Sequence, residues 1–284
     1  SFLRSSNAHE ESYYQKYLGR NLRLGQGVLT HEKYAQLTHS TQDSVVSALL
    51  SYAAEGLRSS YGVPLRSHGI DSKRALIAAD GNVVFGQIWA YVAQALAMPS
   101  APELYGTKAP GLVNLNGETP AVGVGPDRRE SPNDRENAFY AAKLAFSMRP
   151  ENYLGSLFPA ETLQTMLMAV LESADPSFGY IQQLRDPNFE KAVKELRKIP
   201  EPLKAPLRTL VGKFKQRGSV VDMPQWLNGM EHSSNRAGLL LCGELVTAAS
   251  CIRYGSLAFG SLNHEARIRE LLLFSISEPY FGLR

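Results

Sequence analysis

The sequence predicts an α+β fold dominated by helices, with one small β-sheet, and three observations carry that prediction. Apolar residues recur at helical spacing in one segment after another from residue 151 onward. Runs with β propensity are few, bounded by Gly and Pro, and clustered between residues 74 and 125. The chain of 284 residues is 44% hydrophobic and 20% charged, enough apolar material for a large core and too much for a disordered segment. Its longest apolar stretches, 161–171 and 237–252, contain charge or fall short of about 18 uninterrupted apolar residues, so no membrane span is expected.

Residues 8–61 read as helices in pieces. "EESYYQKYLG" comes first, then "THEKYAQLTH", opened by Thr30 as a helix N-cap with Lys33 in place of the usual capping-box acid. The third piece, "STQDSVVSALLSYAAEGLRSSYG", starts at Ser40 or Thr41, and Val45, Ala48, Leu49, Tyr52, Ala53 and Leu57 line one face of it. That face requires a packing partner. No self-similarity at a fixed period marks a repeat array within the chain.

"RALIAADGNVVFG" at 74–86 places two short apolar runs around an Asp-Gly turn signal, most simply a hairpin, although the same residues suit a strand-to-helix connection. The following "VVFGQIWAYVAQALAM" is helical up to Pro99. "GLVNLN" and "PAVGVG", separated by the turn-like "GET", are the second candidate sheet region. A polar loop over 127–137 contains Ser131-Pro132 and Asn133, either able to cap the helix "DRENAFYAAKLAFSM", which stops near Pro150. Helices are then expected over 160–173, 178–184, 187–198, 201–217, 222–232 continuing into 234–254, and 263–276.

Charge and cysteine content exclude several classes. The formal net charge is +3, from 30 basic and 27 acidic residues, with the local excess in 191–217. Lys191, Lys194, Arg197 and Lys198 fall at helical spacing on a solvated face without interleaved aromatic residues, so no nucleic-acid partner is expected. Cys242 and Cys251 lie nine residues apart in one predicted helix, beyond disulfide reach at about 1.5 Å per residue. They read as small buried apolar residues of a reduced protein. The opening "SFLRSSNAHE" has no leader-like run and looks like a cut from a longer chain. The reduced thiols then point to the cytoplasm, with the compartment left open.

Catalytic signatures are missing one after another. Three of the six histidines, His9, His31 and His264, are followed by Glu, yet none has a second histidine four residues on to put two imidazoles on one helix face. "GSLFP" and "FGSLN" do not make a nucleophile elbow. "AVGVGPDRRE" has the first two glycines of a phosphate cradle and no third, so Gly123 and Gly125 are expected to permit close backbone approach or a bulge in an edge strand. Glu231 stands at the start of a strongly apolar run and, on residue pattern alone, reads as a helix-surface acid pairing with Arg236.

Three stretches together carry a resemblance. "PAVGVG", then "NAFYAAKLAFSMRPE", and later "MEHSSNRAGLLLCGELVTAASCIR" are similar in order and spacing to the gluzincin metallopeptidases of the HtpX and CAAX-prenyl-protease type. The resemblance implies a zincin-like fold in which the helix bearing H-E-x-x-H is here "AKLAF", Ala142 to Phe146. Glu231 stands where that family has its third ligand, and Asn235 replaces the family's Asp. Both imidazole ligands and the general-base Glu are thus missing, and Lys143 puts a cation where the mechanism needs a carboxylate. The chain as a whole also resembles the C-terminal region that follows tetratricopeptide-type repeats in long myxobacterial proteins, through "YYQKYLGRNLR", "VLTHEKYAQLTH", "PELY", "MRPE", "NRAGLLLCGEL" and "LLLFSISEPYF".

The resemblances imply residues 1–72 as an N-terminal helical segment on a degenerate peptidase-like domain of residues 73–284, one compact unit in all. The function they imply is a non-catalytic pseudopeptidase-like scaffold, with no cofactor and no metal, that binds a protein or peptide partner beside an upstream repeat region. Its degenerate-site positions are Ala142, Lys143, Phe146, Glu231 and Asn235, and a peptide-binding edge is expected at Val122 and Val124. The alternative is a metal-dependent hydrolase that uses unfamiliar ligands drawn from Glu231, His232, His68 and His264, although adjacent helical residues such as Glu231 and His232 point about 100° apart.

Overall fold

The computed structural model describes residues 29–77, 83–98, 101–116, 119–178 and 187–284, and in it several helices start where the sequence supplies an acceptor for the orphan N–H groups of a first turn. Thr30 caps α1 (His31–Leu37), accepting from Lys33 N, and Asp43 caps α2 (Ser44–Gly56), accepting from Val45 and Val46 N. The expected start of α2 at Ser40 or Thr41 therefore moves to Asp43, whose carboxylate reaches two N–H groups. Strand β1 (Leu76–Ile77) precedes α3 (Val84–Ala95), so the apolar run after the Asp-Gly pair enters a helix and the hairpin reading gives way to the strand-to-helix one. Strands β2 (Glu103–Gly106), β3 (Leu112–Leu115) and β4 (Ala121–Val124) follow.

The remaining helices of six or more residues are α4 (Asp134–Ser147), α5 (Ala160–Ala174), α6 (Pro187–Leu196), α7 (Glu201–Gln216), α8 (Met223–Cys242), α9 (Leu245–Tyr254), α10 (His264–Ser275) and α11 (Glu278–Leu283). Asn133, Asp222, Asn263 and Ser277 cap α4, α8, α10 and α11. The helix expected at 222–232 and 234–254 is two: Gly243, in the left-handed region at φ 67°, ends α8, and α9 starts anew. Cys242 and Cys251 consequently sit on different helices, both as buried free thiols. The predicted "EESYYQKYLG" helix and most of 178–184 lie outside the described residues.

One four-stranded sheet has the order β1-β2-β4-β3. β1 runs antiparallel to β2, β2 parallel to β4, and β4 antiparallel to β3, with Leu104 opposite Val122 and Asn114 opposite Val122 on the other side. "PELY" supplies β2, a strand that its composition did not announce. β4 is paired on both sides and Val122 and Val124 are 0% exposed. The peptide-binding edge expected there is thus corrected: an added strand needs free N–H and C=O groups, and β4 spends both rows on its neighbours. Close approach at its glycines does hold, since a Cβ on Gly123 would stand 2.7 Å from Thr107 and Val113.

Two apolar cores share α8. The C-terminal half of α8 packs with α1, α3, the sheet, α4 and α9–α11, while its N-terminal half, through Met223, Trp226, Leu227 and Met230, joins α2, α5, α6 and α7. The boundary at residue 72 separates neither core, because α1 belongs to the first and α2 to the second. α8 and α4 form the most extensive helix pair among the described residues. Gly238 permits it: a Cβ there would meet the Phe139 ring at 2.6 Å.

Candidate functional site

Most buried side chains of α4 and α8 are apolar, and their buried charges meet at one place. Glu231 and Asn235 are one turn apart on α8 and project from the same face, opposite Lys143 of α4. Lys143 Nζ donates to Glu231 Oε1 at 2.6 Å and to Asn235 Oδ1 at 2.7 Å. Asn235 Nδ2 and Arg267 Nη1 of α10 donate to the same Oε1 at 3.1 and 3.2 Å, and the backbone N–H of Phe259 donates to Oε2 at 2.8 Å. The ammonium also stands 5.3 Å from the centre of the Phe259 ring. Exposure is 1% at Lys143, 0% at Glu231 and Asn235, and 8% at Arg267.

Burial alone would raise the carboxyl pKa of Glu231, but Lys143, the Phe259 N–H and Arg267 together hold it below its ordinary value. Burial pulls the Lys143 ammonium down against the opposing pull of Glu231, with Arg267 adding to the fall. A carboxylate with four donors and an ammonium with two oxygen acceptors and an aromatic face make a satisfied ion cluster. Chemically it is closed. Both carboxylate oxygens already accept hydrogen bonds, and a cation arriving at Oε1 would have to displace Lys143.

Of the expected site residues, Lys143, Glu231 and Asn235 come together. Ala142 and Phe146 are 0% exposed in the first core, and the Phe146 ring stacks on Tyr34 at 5.1 Å between centroids. Glu231 is not a surface acid paired with Arg236. Arg236 instead holds Glu270 of α10, with Nε 2.9 Å from Oε1. Nor do Glu231 and His232 join as ligands, because His232 turns toward His39, with ring centroids 4.8 Å apart, and toward Glu270, with Nδ1 3.6 Å from Oε2. His68 and His264 are exposed. Among the described residues no three His, Cys, Asp or Glu side chains could hold a metal ion together, so the ligands that the hydrolase alternative draws from Glu231, His232, His68 and His264 do not assemble.

The second cluster was not foreseen. Burial lowers the His39 pKa to about 4, with Arg236 and His232 adding their charges, and burial lowers His232 as well against the pull of Glu270. His39 N donates to Ser233 Oγ at 2.8 Å, tying the α1–α2 connection to α8. A buried polar chain continues from Ser233 to Gln42 and then Asn152, at 2.6 Å each. Arg267 carried one usable signal. It shares the stripe of Leu271 and Phe274 at helical spacing, so its charge lay on a face that had to be buried.

No protein-family model, curated protein or solved structure matches the chain. The fold is α+β and helix-dominated with one small sheet, and no helix among the described residues is long and apolar enough to cross a membrane.

Proposed function

We propose that the protein is a non-catalytic, pseudopeptidase-like interaction module that serves a protein or peptide partner. One observation carries the reading: Lys143 Nζ lies between Glu231 and Asn235, the two α8 positions where the gluzincin resemblance puts metal-site carboxylates. A fixed ammonium supplies positive charge to Glu231 and has no open coordination position for water or substrate, which a catalytic metal would need. The cluster then serves as a cross-link of α4, α8 and α10 rather than as a reaction centre.

Metal content measured by mass spectrometry, on protein purified without chelator or metal-affinity tag, tests this. Less than about a tenth of an equivalent of any transition metal is expected, since zinc sites fill stoichiometrically. About one equivalent of zinc overturns the reading and revives the hydrolase alternative.

A further inference from the structure

The tail of α4 runs into a cleft of about 410 Å³, bounded also by the turn at Arg58–Tyr61, the segment after α3 and the lead-in to β4. That size falls within the roughly 300–1,000 Å³ of small-molecule pockets. Met98, Pro120 and Met148 give it apolar walls, and Arg58, Arg149 and Tyr153 reach it with polar ones. Two of those polar groups are unused by the fold. Tyr153 Oη and Arg58 Nε are buried, and neither has a hydrogen-bond partner among the described residues. Tyr153 is 2% exposed, and Arg58 is close enough for its charge to act on the phenol. Buried donors left unpaired cost stability, so two of them beside one cavity mark a place for an acceptor from outside.

The charges indicate which kind of acceptor. Arg58 holds Glu55 at 3.2 Å and Arg149 holds Glu151 at 2.7 Å, while Glu103 adds a carboxylate to the lining. Both guanidinium groups are thus already paired with a carboxylate and Glu103 adds a negative charge to the lining, so an anion gains little there and an uncharged acceptor meets no repulsion. We propose that the cleft binds an uncharged acyl group, an amide or ester carbonyl flanked by aliphatic carbon. Its oxygen accepts from Tyr153 Oη and Arg58 Nε, and its aliphatic part lies against Met98 and Met148. Both donor atoms are buried, so the proposed binding includes a rotamer change at Arg58, whose side chain is 36% exposed, that opens them to the cleft. This site is separate from the Lys143 cluster and stands whether or not that cluster descends from a metal centre.

The test is an NMR titration of the whole chain, labelled at its six methionine methyls, with N-acetyl-leucine methylamide. Saturating shifts at Met98 and Met148 are expected, assigned through Met98→Leu and Met148→Leu, and Tyr153→Phe weakens binding about fivefold or more. That variant keeps the parent's melting midpoint, because the hydroxyl it loses had no partner in the fold. No saturable shift at about 10 mM probe overturns the proposal. So does equal or tighter binding of N-acetyl-leucine with its free carboxylate, or a fall of more than about 5 °C in the melting midpoint of Tyr153→Phe, which would reveal a structural role for the hydroxyl. A capped pentapeptide that binds about tenfold tighter than the capped residue assigns the acyl group to a protein chain, and equal binding assigns it to a small molecule.

Discussion

Glu231 and His232 are neighbours in the chain, and the helix turn between them sends one into a dry ion cluster and the other into a half-open one. Around Glu231 both oxygens have donors, and Lys143, Asn235 and Arg267 are all buried. Around His232 the pairing is incomplete: His232 Nδ1 and Glu270 Oε2 are buried without hydrogen bonds and stand 3.6 Å apart. The contrast follows from solvation. A charge removed entirely from water needs full pairing, while a group with residual exposure tolerates a missing partner.

The largest expected effect comes from breaking the dry cluster. Lys143→Met leaves Glu231 buried with Arg267 as its remaining cation, and should cost about 3–5 kcal/mol in urea denaturation. A loss below about 1 kcal/mol would show that Glu231 takes up a proton or a water in compensation. Lys143→Met combined with Glu231→Leu should cost less than Lys143→Met alone, because no unpaired carboxylate remains.

Next is Glu270→Gln in the half-open cluster, which weakens the hold on Arg236 and should cost about 1–2 kcal/mol. It also removes the carboxylate that raises the His232 pKa. NMR titration of the imidazole should place His232 lower in the variant than in the parent; an unchanged value would mean that Glu270 is too well solvated to be felt.

Acid should separate the two regions by pH. His39 has a folded pKa of about 4 against an ordinary 6.5, so its contribution is complete above 6.5 and is lost as pH falls toward 4. A dry group with that shift would count for about 3 kcal/mol, but partly exposed His39 is screened to about 1 kcal/mol. Glu231, held below 4.5, keeps its contribution above 4.5 and loses it as pH falls through its lower folded value. Urea midpoints should therefore drop in two stages, and His39→Gln should shrink the first stage, to which His232 also contributes, and leave the second unchanged. At the small end, Lys191→Ala on the solvated face of α6 should change stability by less than about 0.5 kcal/mol.

Local pattern determined a good part of this molecule. Thr30 and Asn133 announced their helices, "GLVNLN" and "PAVGVG" their strands, and Pro150 the end of α4, because caps, β propensity and proline act within a few residues. The gluzincin resemblance singled out Lys143, Glu231 and Asn235, and the structure brings those three together. What the three form with one another, and with Arg267 and Phe259, was not legible in the sequence. Lys143 and Glu231 are 88 residues apart, and no periodicity specifies which cation meets which acid across that distance. The pairing of "PELY" with β4, which closed the edge expected at Val122 and Val124, is equally non-local. Sequence by itself determined which faces are apolar and where the chain turns. Tertiary structure alone decided the partners, since burying most of α8 left Glu231 and Asn235 with whichever side chains the neighbouring helices supplied.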